Sequence, residues 1–265
     1  MAKKELLVVS FGTSFAETRE KTIGAIENAL QKEFPDHTVC RAFTSNSILQ
    51  RIRARDGITI DSVQQALERA AVNDVQELII QPTHFMAGHE YNKLLREVSA
   101  YTNVFPRLAI AYPMLNCMAD FYSLAQEMTA WTAEYDDGET AICFMGHGTD
   151  AGANAVYQKL ENLLHESGHA NYYIGTVEGT PTVQDVLQKL QGKPYNKVVL
   201  QPLMVVAGDH ACNDMAGEQE DSWKCIFARA GYQVTCILRG LGENSAVHSI
   251  YIHHARDAMN VLGQK

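Results

Sequence analysis

Two histidines and a glutamate stand out because each comes just after a run with strand character. His147 follows TAICFMG at 140–146, Glu178 follows YYIGTV at 172–177, and His210 lies four residues past KVVLQPLMVV at 197–206. Two imidazoles and a carboxylate suit a divalent first-row metal ion, with coordination positions left open for a substrate. A histidine also takes up a proton near neutral pH, so the same group can hold a metal and serve as a base. Glycines on both sides of His147 favour a ligand-facing loop, because they let the backbone approach a bound group closely. Each residue has a plainer alternative. His147 could bond its own turn, Glu178 could be a loop carboxylate, and His210 could cap a following helix, although Asp209 or Asn213 would serve there too. Three such residues at three strand ends carry more weight than any one of them.

These side chains must be delivered by particular elements. Apolar, β-branched runs at 5–11, 38–43, 76–81, 107–112, 140–146, 172–177, 197–206 and 232–238 predict strands. Continuous runs such as LIIQ and VVLQ predict strands buried on both faces. Segments at 17–33, 61–72, 89–100, 117–133, 153–166, 182–191, 214–230 and 245–261 carry apolar residues at helical spacing. Alternating strands and helices predict an α/β fold with parallel sheets and right-handed crossovers. In open parallel sheets, ligands bind beyond the carboxyl ends of the strands, where the three residues fall.

The order repeats as four strands and four helices, twice. SFGTS at 10–14 resembles MGHGTD at 145–150, and QPTHFMAGHEYN at 81–92 resembles QPLMVVAGDHACND at 201–214. Two similar pairs in the same order argue for duplication, with lobes at 1–130 and 131–265 and a final helix free to cross back to the first. In the first half Phe11 stands where His147 would be, Ala42 where Glu178 would be, and Glu90 where His210 would be. One half thus supplies metal ligands and the other Glu90. His84 and His89 flank the matching loop and are candidates for lining a pocket. His253 and His254 are adjacent on a helix and point to different faces; His37, His165, His169 and His248 carry no signal.

Bulk properties narrow the classes. A chain of 265 residues, 46% hydrophobic, can bury a sizeable core. No stretch approaches the roughly 18 apolar residues that span a bilayer. The opening apolar run stops at Ser10 with no cleavage signal after it, which predicts a cytoplasmic protein without membrane attachment. Six cysteines without a C-x-x-C pair predict free thiols in a reducing compartment. A net charge of -9 supplies no basic stripe for nucleic acid. The chain is compatible with assembly into a homo-oligomer.

LLVVSFGTS, RAFTSNSILQRIRARDGI, AGHEY, FMGHGT, LMVVAGDHACNDMAGEQEDSWK and GLGEN resemble the class II chelatases, in particular the sirohydrochlorin cobaltochelatases of the anaerobic cobalamin route. The likeness runs over nearly the whole chain, and the D-H-x-x-N-D-M core of the longest motif is specific. It implies two similar flavodoxin-like lobes, each a four-stranded parallel sheet flanked by helices, with the active site in the cleft between them. It implies a lyase that inserts Co2+ into the tetrapyrrole sirohydrochlorin with release of two protons. His147, Glu178 and His210 would be the metal ligands, His147 and His210 catalytic as well, and Glu90 a further acidic residue facing the cleft. Some relatives carry Asp immediately before that glutamate, where this chain has His89.

Insertion requires the ion to shed water and two pyrrole protons to leave. His147 would be ligand and proton acceptor, His210 and Glu178 further ligands, and Glu90 a proton shuttle. Protons compete with metal for imidazole, so cobalt binding should weaken in acid. The acceptor carries eight carboxylates and the protein is acidic, so local donors must receive it. Candidates are the backbone and hydroxyl groups of Ser10, Phe11, Gly12, Thr13 and Ser14, with His84, His89, Ser45 and Thr149; Arg51, Arg53 and Arg55 could contribute or form a solvated face. His and Glu ligands also accept Fe2+, Ni2+ or Zn2+, which leaves open a ferrochelatase, a nickel chelatase, or a haem or metal carrier without turnover. A histidine phosphatase would want Arg directly before the histidine, where Gly146 stands.

Overall fold

A computed structural model of the protein describes residues 2–149 and 152–263. Asp150, the last residue of the MGHGTD motif, lies outside the described residues. The chain divides into two compact units, Met1–Asn116 with Gly242–Lys265, and Cys117–Leu241. The change-over therefore precedes the helix at Met118–Thr132, whereas the sequence reading put it at 130. That helix packs on the helix at Ala155–Glu166 of the second unit, which is the physical reason.

In unit 1 a parallel sheet is built from β1 (Lys4–Ser10), β2 (Thr38–Phe43), β3 (Asp61–Ser62), β4 (Glu77–Pro82) and β5 (Arg107–Ile110), in the order β3-β2-β1-β4-β5. Leu6, Leu7, Val8 and Val9 of the central strand are all fully buried, as a strand covered on both faces requires. Helices α1 (Ala16–Arg19), α2 (Ala25–Glu33), α3 (Asn46–Asp56), α4 (Val63–Val72) and α5 (His89–Ser99) connect the strands. A π-helical turn at Glu20–Gly24 joins α1 to α2, so the segment 17–33 is helical throughout but not uniformly α.

Two elements depart from expectation. The sheet has five strands rather than four, because residues 61–62 run extended beside Ala42 and Phe43 before Ser62 caps α4. Helix α3 has no counterpart in the periodicity, since only Ile52 of its residues is buried; it is defined by its ends, with Gly57 in the left-handed region (φ 68°) terminating it.

Unit 2 holds α6 (Met118–Thr132), β6 (Thr140–Gly148), α7 (Ala155–Glu166), β7 (Tyr172–Glu178), α8 (Val183–Leu190), β8 (Lys197–Pro202), α9 (Trp223–Arg229) and β9 (Gln233–Cys236). Its sheet is four-stranded and parallel, in the order β7-β6-β8-β9. Setting β3 aside, the two sheets have the same winding, β2-β1-β4-β5 and β7-β6-β8-β9. The helix expected at 214–230 is reduced to α9, preceded by a π-helical turn at Ala211–Met215. Gly217 ends that turn: a Cβ there would sit 2.3 Å from the Asn213 carbonyl oxygen. Ser222 restarts the helix by accepting a hydrogen bond from the Cys225 amide at 3.2 Å. The last helix, α10 (Ser245–Gly263), packs on α2, β4 and β5 of unit 1. No helix among the described residues is long and apolar enough to cross a membrane.

Candidate functional site

Strand β6 lies between β7 and β8, so the three strands expected to carry the ligands are neighbours. His147 is the penultimate residue of β6 rather than a residue after it. Side chains alternate across a strand, so His147 faces away from Gly146 and Gly148. The face bearing those glycines is taken by Tyr157 of α7: a Cβ at Gly146 would lie 2.3 Å from the Tyr157 ring. The Tyr157 hydroxyl accepts a hydrogen bond from the Gly148 amide at 3.2 Å. Gly148 has φ +84°, and a Cβ on it would collide with the Glu178 carbonyl oxygen. Two glycines and a tyrosine thus fix the backbone on which His147 sits. Its Nδ1 is 3.0 Å from the Gly148 carbonyl oxygen. A carbonyl only accepts, so Nδ1 carries the proton and Nε2 presents its lone pair.

His210 arrives by a longer route. Strand β8 stops at Pro202, earlier than expected, where the Leu203 amide bonds the Met145 carbonyl at 2.8 Å. A loop at 203–208 then leads through a helical Asp209 to the π-helical turn, which Ala211 and Met215 anchor in the core. His210 is the residue before that turn and makes no side-chain cap bond. Its Nδ1 lies 2.6 Å from Oδ2 of Asp214. Here too the proton sits on Nδ1 and Nε2 is the open donor. The His147 and His210 rings meet edge to face, with centroids 4.7 Å apart and planes at 89°.

Glu178 is the last residue of β7, exposed, and the Cα partner of Gly148 rather than of His147. Among the described residues no three His, Cys, Asp or Glu side chains converge closely enough to hold a metal ion. The structure brings two of the three expected ligands together. Thr149 is held by Asn154, whose amide group both accepts from the Thr149 N–H at 2.9 Å and donates to its carbonyl at 2.6 Å.

The first-unit candidates group around β1 and β4. The Ser10 hydroxyl accepts from Thr83 at 2.7 Å and, like Thr13 and Ser14, is buried. Phe11 is 48% exposed, and Gly12 adopts φ +101° directly over the Phe43 ring. Ser45 faces Ser47 across 3.0 Å. Arg51, Arg53 and Arg55 lie on the exposed side of α3. His84 follows β4, its main chain fixed by a bond from the Met114 amide at 2.9 Å. Both His84 ring nitrogens are buried without a hydrogen-bond partner, and so is Oε2 of Glu90. Burial pushes the His84 imidazole down to about 4, against an opposing pull from Glu90. His89 and Glu90 open α5, with His89 exposed.

Sequence reasoning missed Asp214 and Tyr157. Asp214 is four residues beyond His210, the spacing that puts two side chains on one helical face. Tyr157 had no linear signal, because its role depends on α7 crossing Gly146.

Comparison with known proteins identifies the family. The family model described as cobalt chelatase (CbiK) matches residues 4–260. The chain is 40% identical over 259 residues to the sirohydrochlorin cobaltochelatase of Salmonella typhimurium, covering 98% of this chain and 97% of that one. It is 30% identical over 264 residues to the sirohydrochlorin cobaltochelatase CbiKC of Nitratidesulfovibrio vulgaris, covering 99% and 93%. Among solved structures, SirB from Bacillus subtilis with Fe3+ superposes with a TM-score of 0.67 at 14% identity, covering 99% and 98%. At that identity the likeness speaks for the fold alone. With the family model matching residues 4–260 and 40% identity to a relative nearly end to end, the chain belongs to the cobalt chelatase family.

Proposed function

We propose that the protein inserts cobalt(II) into sirohydrochlorin, releasing two protons. The observation that carries this reading is the His147–His210 pair, each ring pinned through Nδ1 so that Nε2 is the donor. The activity named for the Salmonella typhimurium relative supports the choice of metal and acceptor. Two neutral imidazoles replace part of the ion's water shell without a full protein cage, which suits an ion that must leave again. Glu178 is the third donor in this proposal, closing on the ion from the neighbouring strand end. As the metal passes to the pyrrole nitrogens, each vacated imidazole nitrogen becomes a base, and His147 takes up a pyrrole proton. Glu90 takes part in carrying protons away. Atoms balance: one ion in, two protons out. Fe2+, Ni2+ and Zn2+ fit the same donors and are expected to compete. Six free cysteines support a reducing, cytoplasmic setting.

The test is turnover. Purified protein, sirohydrochlorin and cobalt(II) should show the absorbance change of insertion well above the uncatalysed rate. His147→Ala and His210→Ala should each lower kcat/KM by at least about 100-fold, on the scale of losing a base or ligand. Wild-type activity in both variants would refute the assignment.

A further inference from the structure

Helix α7 begins with an asparagine that does not cap it. Asn154 stands at the N-cap position, where an asparagine side chain ordinarily accepts from an amide of its own first turn, yet it makes no such bond. Its amide group reaches back along the chain to Thr149 instead. Oδ1 accepts from the Thr149 N–H at 2.9 Å, and Nδ2 donates to the Thr149 carbonyl at 2.6 Å. The neighbouring strand end leaves room for this fork. Gly179, next after β7, has φ +88°, and a Cβ there would lie 2.4 Å from Asn154 Nδ2 and 2.5 Å from the Thr149 carbonyl oxygen.

The Thr149 N–H belongs to the same peptide unit as the Gly148 carbonyl. That unit is planar and trans, so its N–H and C=O point in opposite directions. Asn154 takes the N–H side, and the carbonyl side faces His147 Nδ1 at 3.0 Å. Asn154, one peptide and the imidazole thus form a single chain of hydrogen bonds, in which each bond polarises the next. The preceding peptide is held separately, its Gly148 N–H on the Tyr157 hydroxyl. Gly148 has no side chain to restrict its torsions, so the plane of the Gly148–Thr149 unit depends on what bonds it. If that plane turns, His147 loses the acceptor that keeps its proton on Nδ1. The proton can then move to Nε2, the nitrogen that must stay bare to bind a metal.

We infer that Asn154 is a positioning residue for His147: it fixes the Gly148–Thr149 peptide and, through it, the tautomer and direction of the imidazole. The use of that imidazole as a metal ligand rests on the proposed chelatase reading.

The experiment records imidazole nitrogen NMR spectra of metal-free protein labelled at histidine, for wild type, Asn154→Ala and Asn154→Ser. His147→Ala and His210→Ala assign the two signals, and melting curves check folding. Serine is itself favoured at an N-cap, but one hydroxyl cannot replace the two-pronged fork. Wild type should show His147 with a protonated Nδ1 and a bare Nε2. Both Asn154 variants should shift the His147 tautomer ratio toward protonated Nε2 by about fivefold, the equivalent of one lost hydrogen bond. The His210 signals, which depend on Asp214, should stay as in wild type, whereas a general loosening of the fold would move both histidines. Asn154→Ser keeps a capping residue, so it decides the matter even where Asn154→Ala does not fold. Unchanged His147 signals in folded Asn154→Ser, or equal changes at His147 and His210, overturn the positioning role. Protein in which His147 alone responds, but which inserts no cobalt, refutes the chelatase reading and leaves the role of Asn154 standing.

Discussion

His147 and His210 differ in what holds them, and the difference has a consequence. A neutral carbonyl orients His147, and a carboxylate orients His210. A carboxylate behind an imidazole raises its basicity toward a metal more than a carbonyl does. In the proposed mechanism His210 would therefore be the firmer ligand, and His147 the one that releases the ion and takes a proton. Asp214→Asn should weaken cobalt binding about 10- to 100-fold, the range for losing such a support. Calorimetric titration with cobalt alone checks this, and unchanged affinity would count against the division of roles. His84 gives a second prediction. Its pKa falls from an ordinary 6.5 to about 4 in the folded chain, so the unfolded chain binds the extra proton between those values. Stability should be unaffected above pH 6.5 and decline by about 3 kcal/mol as pH falls from 6.5 to 4. Denaturant melts of wild type and His84→Gln over that range should differ in slope by about one proton; parallel curves would contradict it. At this scale the sequence was informative where chemistry coincides with a strand end, as for His147. It was silent on Asp214, because 214–230 read as one helix and the aspartate as part of its surface.

At the scale of elements, the site depends on a close crossing. The Tyr157 ring occupies the space a side chain at residue 146 would need. Gly146→Ala should destabilise the protein by about 1–3 kcal/mol, as overpacking does, and should lower the insertion rate by moving His147. Melting and turnover measured on one preparation test this, and wild-type values for both would show that α7 does not position the strand end. The central strands were legible because short, β-branched apolar runs, such as that of β1, favour a strand covered on both faces. Helix α3 was not, because only Ile52 faces a core and its charged residues hide the period. Strand β3 was not, because Asp61 and Ser62 have little preference for a sheet and are extended only as the entry to a capped helix. The break before α9 turned on one contact, between Gly217 and the Asn213 carbonyl, that no periodicity encodes.

The whole molecule shows why two parallel repeats diverged. Both sheets wind in the same order, yet the paired imidazoles belong to unit 2, while unit 1 has a phenylalanine-flanked loop, and His84 and Glu90, of which the His84 ring nitrogens and Glu90 Oε2 are buried. A net charge of -9 attracts a divalent cation and repels a polycarboxylate, so the cation needs few dedicated ligands and the anion needs local donors. The repeat was readable from the paired Gly-Thr and Gln-Pro motifs. That two of the three expected ligands come together among the described residues was not, because it depends on how loops far apart in the chain end their strands. The central claim is that the His147 and His210 imidazoles together receive the incoming ion. X-ray absorption of the cobalt(II)-loaded protein addresses it directly. The account predicts scattering from two imidazoles with nitrogens at about 2.1 Å, lost in the His147→Ala/His210→Ala double variant. A cobalt environment without imidazole, or one that the double substitution leaves unaltered, would contradict it.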